Sequence, residues 1–173
     1  MEIGISVGAA SYVELALCDN RGNQIILSIE TWKLLMQKRA DIERLQSAEI
    51  MAPLWIRDMI LEVVQMSNSK IIKITLSNNS LYMKPSTLLH LFDFENCIRH
   101  MYSWLSENTY SVNEKFEKFS TILQRNNIID VCNAAKVIRE SDAFDGESLV
   151  DCELLTCAIN DILHDACNKI HTY

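Results

Sequence analysis

Hydrophobic and polar residues alternate at the start of the chain. Ile3, Ile5 and Val7 form one period-two run and Val13, Leu15 and Leu17 a second, and Asn-Arg-Gly-Asn at 20–23 leads into the apolar run Ile25-Ile26-Leu27. Alternation puts one set of side chains on a buried face, and the Asn/Gly cluster supplies turn chemistry, so three antiparallel strands are predicted. The period then lengthens. Ser28 or Thr31 caps a helix whose buried stripe is Trp32, Leu35, Met36, Ile42 and Leu45, with Lys33, Lys38, Arg39 and Arg44 mostly on the other side. Residues 48–66 carry Ile56, Ile60, Val63 and Val64 at steps of three and four, with Pro53 in a first turn, and predict a second helix linking two similar units.

From Lys70 the pattern returns to strands. KIIKITL alternates around its lysines, residues 77–80 form a turn, Leu81-Tyr82-Met83 is extended, and STLLHLF at 86–92 reads as another strand. A helix capped by Asp93 follows, with Phe94, Ile98, Met101 and Leu105 inward. The remainder is helical: 112–124, 128–140, and 147–170 as the longest helix, with a loop at 141–146. The expected fold class is α+β: two strand–helix units with antiparallel sheets, followed by an all-helical C-terminal extension. The expected domains are 1–66, 67–110 and 111–173.

With 173 residues, 49% of them hydrophobic, the chain can build its own core, and only four glycines and two prolines argue against a turn-dense all-β fold. No run approaches the length of a membrane span, and the N-terminus lacks the basic segment of a secretory signal. The expectation is an intracellular protein, nuclear or cytoplasmic, with no membrane contact. In that compartment the six cysteines are expected as reduced thiols rather than a disulfide framework. Cys152, Cys157, His164 and Cys167 lack the tight pairing of zinc sites, and Cys152, Leu155, Ile159, Ile162 and Ala166 read as one helix face. No metal or other cofactor is expected. There is no glycine-rich phosphate loop, His-Glu-x-x-His or nucleophile elbow, and the four histidines have no nucleophile partner in a known motif, so the expectation is a protein that is not an enzyme.

Two segments share an order of elements. QIILSIETWKLLMQKRADIERL at 24–45 and TLLHLFDFENCIRHMYSWL at 87–105 each read as a short strand, a polar cap, an aromatic residue and an amphipathic helix, as a duplication would leave them. Met83-Lys84-Pro85 precedes the second unit's last strand, and Glu30-Thr31-Trp32 opens the first helix. These features resemble the family of the transcriptional coactivator positive cofactor four and its Whirly relatives, over residues 1–46 and 70–105. The first unit has no Met-Lys-Pro turn, the strands hold fewer lysines and arginines than that family's, and the acidic helical tail has no counterpart there. The resemblance implies binding of single-stranded DNA or RNA on curved sheets, in transcription or replication, by a homodimer or, with two fused units, by an internal pseudo-dimer.

Single-strand binding needs cations that follow phosphates and flat groups on which bases stack. Lys70, Lys73, Tyr82 and Lys84 lie on or beside the second unit's strands, and Tyr12 and Arg21 hold comparable places in the first. Lys70 and Lys73 are three apart, so only one of them can face a shared groove. Trp32, Trp55 and Trp104 sit among apolar residues at helical spacing and are expected as packing. Net charge is −7, with 10 basic against 12 acidic residues in 1–110 and 6 against 11 in 111–173. An acidic binder of phosphates is unusual, so the alternative stands beside it: a protein-interaction or dimerisation module that keeps the fold without the ligand, using the additional apolar residues Leu149, Leu154, Leu163 and Ile170 of the C-terminal helices.

Overall fold

A computed structural model describes residues 1–8, 10–47 and 52–170. The fold is α+β, with two antiparallel sheets and C-terminal helices. It divides into two compact units: Met1–Gly4 with Glu14–Ser103, and Ile5–Val13 with Trp104–Tyr173.

The first sheet has the order β1-β2-β3, from β1 (Glu2–Ser6), β2 (Tyr12–Cys18) and β3 (Gln24–Leu27), as the alternation predicts. Leu15 pairs with Leu27 and Leu17 with Ile25, and all four are buried. The turn between β2 and β3 needs a left-handed residue, which Gly22 supplies at φ 83°. Helix α1 (Ile29–Gln37) starts at Ser28, whose Oγ accepts the N–H of Thr31. Trp32, Leu35 and Met36 are its buried side. The predicted long helix is interrupted at Lys38, whose N–H donates to the Leu35 and Met36 carbonyls, and α2 (Arg39–Ser47) begins after it with buried Ile42.

The expected linking helix at 48–66 is overturned. Residues 48–51 lie outside those described, and the rest forms β4 (Leu54–Ile56) and β5 (Met59–Met66), joined through Arg57-Asp58 with Arg57 at φ 57°. Steps of three and four among Ile56, Ile60, Val63 and Val64 fit a helix, but these β-branched side chains fit a pleated surface better. Met59, Leu61 and Val63 supply the period-two inner face. Ser67 and Asn68, both at positive φ, turn the chain into β6 (Ser69–Leu76), and Ser77-Asn78 turns it again into β7 (Asn79–Met83), a shorter turn than expected. The four strands are ordered β4-β5-β6-β7.

The second overturned element is the strand at 86–92. Pro85 occupies the first turn of a helix, α3 (Pro85–Asp93), where its fixed φ and missing N–H cost nothing. Leu88 and Phe92, one turn apart, are its buried side. Asp93 is therefore the last residue of α3 rather than a cap. Phe94 ends α3, donating its N–H to the Leu91 and Phe92 carbonyls, and α4 (Glu95–Arg125) then runs for 31 residues through the two helices expected at 93–105 and 112–124.

The arrangement the two segments share is thus longer than the stretches compared in the sequence, and the second instance starts earlier. In both copies a hairpin leads through an extended residue, Ser28 or Lys84, into a nine-residue helix that ends on a single capping residue, Lys38 or Phe94, and a further helix follows at once. The hairpin pairs Leu15–Leu27 and Leu17–Ile25 correspond to Ile72–Met83 and Ile74–Leu81. β3 lies beside β7 and α2 beside α3, where the Arg39 guanidinium stands over the Phe92 ring and reaches Asp93 at 4.0 Å. Trp32, Leu35, Ile42, Met59, Leu61, Ile72, Leu88 and Ile98 belong to one core.

In the second unit, α5 (Val131–Arg139) is capped by Asp130, and the expected single helix at 147–170 is two, α6 (Leu149–Cys157) and α7 (Ile159–Ile170), leaving α4 the longest. Phe116, Phe119 and Leu123 of α4 meet Ala134, Ile138, Leu155, Ile162 and Ala166 in its core. Two polar clusters tie the helices together. Lys115 Nζ reaches buried Asp151 Oδ2 at 2.7 Å and donates to the Ala143 carbonyl, and Asp151 also accepts the Asp145 N–H. Asp165 accepts from buried Ser120 Oγ and pairs with Lys169 Nζ, both at 2.6 Å. No helix of the described residues is long and apolar enough to cross a membrane.

Candidate nucleic-acid interface

The register of the four-stranded sheet sorts its side chains into two faces. Ile56, Met59, Leu61, Ile72, Ile74 and Leu81 point into the core. The residues between them form the outer face in cross-strand rows. Trp55 pairs with Ile60, Ile60 with Thr75 and Thr75 with Ser80. In the next row Glu62 pairs with Lys73 and Lys73 with Tyr82, and Val64–Ile71 begins a third. Directly paired residues of antiparallel strands share a face, with Cβ atoms about 4.5–5.5 Å apart.

Two aromatic side chains stand out from this face. Trp55 on β4 is 63% exposed and Tyr82 on β7 is 51% exposed, large values for rings of their size. Three strand spacings of about 4.8 Å and one two-residue step of about 7 Å separate them along the sheet, so the platform spans roughly 16 Å. Between them the carboxylate of Glu62 lies 3.5 Å from Lys73 Nζ, and Thr75 Oγ1 and Ser80 Oγ are 3.1 Å apart. Lys84, two residues beyond Tyr82 on extended backbone (φ −66°, ψ 146°), is exposed at the margin.

Of the six residues singled out in the sequence, Lys73 and Tyr82 are cross-strand partners on this face and Lys84 stands at its edge. Lys70 pairs with Gln65 and has the opposite parity to Lys73, so it belongs to the other side of the sheet, as their spacing requires. Tyr12 begins β2, on the three-stranded sheet. Arg21 lies in the β2–β3 turn, where its own N–H and that of Asn23 donate to Asp19. The Asn23 side chain first, and then these backbone N–H groups, hold the Asp19 carboxyl below its ordinary pKa, which leaves an anion beside Arg21.

Trp32 packs in the core as expected, at 2% exposed, whereas Trp55 and Trp104, expected there too, are exposed at 63% and 50%. Trp55 is the site residue that the sequence reading missed. Its signal was present: Trp55 precedes buried Ile56 and an Arg-Asp turn, so a hairpin reading puts it on the face opposite Ile56. Local charge also departs from the whole. Residues 54–84 carry Arg57, Lys70, Lys73 and Lys84 against Asp58 and Glu62, four basic to two acidic, whereas the chain carries 16 to 23.

The six cysteines are free thiols, and among the described residues no three His, Cys, Asp or Glu side chains gather as a metal would require. Set against family models, curated proteins and solved structures, the chain matches none.

Proposed function

We propose that the protein binds single-stranded DNA or RNA across the outer face of the β4–β7 sheet, inside the cell, in transcription or replication. The observation that carries this reading is the pair of exposed rings, Trp55 and Tyr82, on one sheet face with Lys73 between them and Lys84 at the margin. Every base has a π-face, so stacking on two rings is tolerant of sequence, and cations beside them meet the intervening phosphates. The local excess of basic residues supports the same ligand.

The test is fluorescence anisotropy of a labelled oligothymidine at about 50 and 200 mM salt, the range over which phosphate contacts show themselves. Binding weakens with salt and is lost in the Lys73→Glu, Lys84→Glu double variant. Tyr82→Ala weakens it about tenfold, as expected for one stacked base. A folded protein that binds no strand at either salt concentration refutes the proposal.

One observation favours a second reading, a protein-interaction module. In the second unit Tyr110, Ile129 and Leu149 are all strongly exposed, and exposed apolar side chains of this size are common at protein interfaces. Sedimentation across a range of concentrations tests its simplest form, a homodimer.

A further inference from the structure

We infer that the Glu62–Lys73 pair makes this face select guanine over thymine or uracil, an inference that rests on the single-strand reading above. A carboxylate in the middle of a phosphate-binding face is costly unless it contacts something. Glu62 is the sole acid among the outer-face residues of the paired strands β4–β7, and the diagonal neighbour of Trp55, whose direct partner is Ile60. Diagonal neighbours on an antiparallel pair lie about 7–8 Å apart, within reach of an aromatic ring and a long side chain. A base stacked on Trp55 therefore has its edge toward Glu62, and Lys73 is 3.5 Å beyond.

The pair presents acceptors on one side and a donor on the other. Guanine's Watson–Crick edge offers two adjacent N–H donors beside a carbonyl acceptor, so the carboxylate accepts both donors while the ammonium donates to the carbonyl. Such charge-assisted, two-point contacts are among the strong ones. Thymine and uracil offer one N–H flanked by two carbonyls, and one of those carbonyls would face the carboxylate. Tyr82 lies two strands from Glu62, with Lys73 between them, so the base stacked there is held without this discrimination.

The experiment compares two labelled strands of about ten nucleotides, all thymidine and the same strand with one central guanine, a length chosen within the usual range of single-strand footprints. The wild-type protein binds the guanine strand about tenfold more tightly, the discrimination expected of one good two-point base contact. In Glu62→Gln that ratio falls toward one, because guanine binding weakens and the released Lys73 strengthens thymidine binding. Tyr82→Ala lowers both affinities together and keeps the ratio, whereas Trp55→Ala lowers both and removes the ratio. Equal affinity of the wild type for the two strands, or a ratio that survives Glu62→Gln, overturns the inference while leaving single-strand binding intact. Failure to bind either strand overturns both.

Discussion

The two copies of the hairpin–helix–helix module have the same inside and different outsides. Inside, Leu17 and Ile25 of the first correspond to Ile74 and Leu81 of the second, and Trp32 and Met36 of α1 to Leu88 and Phe92 of α3, all of them buried. Outside, the positions of Tyr82 and Lys84 hold the exposed Ile26 and Ser28, and that of Lys73 holds Ala16, which is covered. A core fixes volume and polarity tightly, because a cavity or a misplaced polar group costs several kcal/mol. An exposed face is bound by neither constraint, so one copy is free to carry rings and cations while its counterpart carries small and aliphatic groups. A shared arrangement of elements therefore does not imply two ligand faces.

The comparison breaks most severely in the core. Trp32→Ala is expected to cost about 3–5 kcal/mol and Leu88→Ala about 2–5 kcal/mol, read from urea unfolding midpoints. A cost under about 1 kcal/mol in one copy alone would show that the two cores are not equivalent. On the outside, replacing Tyr82 by its counterpart, Tyr82→Ile, is expected to reduce oligothymidine affinity about tenfold while moving stability by about 0.5 kcal/mol or less. An unchanged affinity would mean that the second copy's surface is no more a ligand face than the first's.

Cap chemistry separates the copies more finely. Ser28 bonds the Thr31 N–H, whereas Lys84 makes no such bond and leaves Pro85 to start the helix. Ser28→Ala should cost about 1 kcal/mol, and Lys84→Ala close to nothing, by the same unfolding measurement. The smallest effect concerns pH and extends the comparison to the second unit. Burial pushes the Asp165 pKa up, but hydrogen bonds from Lys169 and Ser120 outweigh it and hold the carboxyl below its ordinary value. Burial likewise lowers Lys169, and its bonds to Asp165 and Glu117 outweigh that and raise it. A lowered carboxyl contributes stability above the unfolded pKa of about 3.9 and loses it as pH falls through the folded value. As pH falls below about 4, α7 should therefore lose hydrogen-exchange protection, and Asp165→Asn, which lacks that contribution already at neutral pH, should show a smaller loss over the same range.

The N-terminal strands, the Ser28 cap and the helical second unit were legible because alternation, a capping hydroxyl and helical spacing agreed there. Where local signals conflicted, tertiary context decided. Residues 54–66 satisfy both periods, and pairing with β6 across the Ser67-Asn68 turn selects the strand. STLLHLF has no inherent reason to stop being a strand except Pro85, one residue earlier, which suits a first helical turn. Lys73, Tyr82 and Lys84 could be found from residue type alone. Trp55 could not, because its exposure follows only once 54–66 is read as a hairpin rather than a helix, which puts it on the face opposite Ile56.

β4 has only three residues, is preceded by Pro53 and ends at Arg57-Asp58, and it stands at the margin of its sheet. A margin this short offers few groups for another chain to pair with, and the proline removes one donor more, so the sheet is guarded against edge-to-edge growth. Its place at the edge means that Trp55 is held by pairing on one flank alone. Amide hydrogens of β4 should exchange with solvent sooner than those of β5 and β6, and the indole end of the platform is where an arriving strand would slow that exchange most.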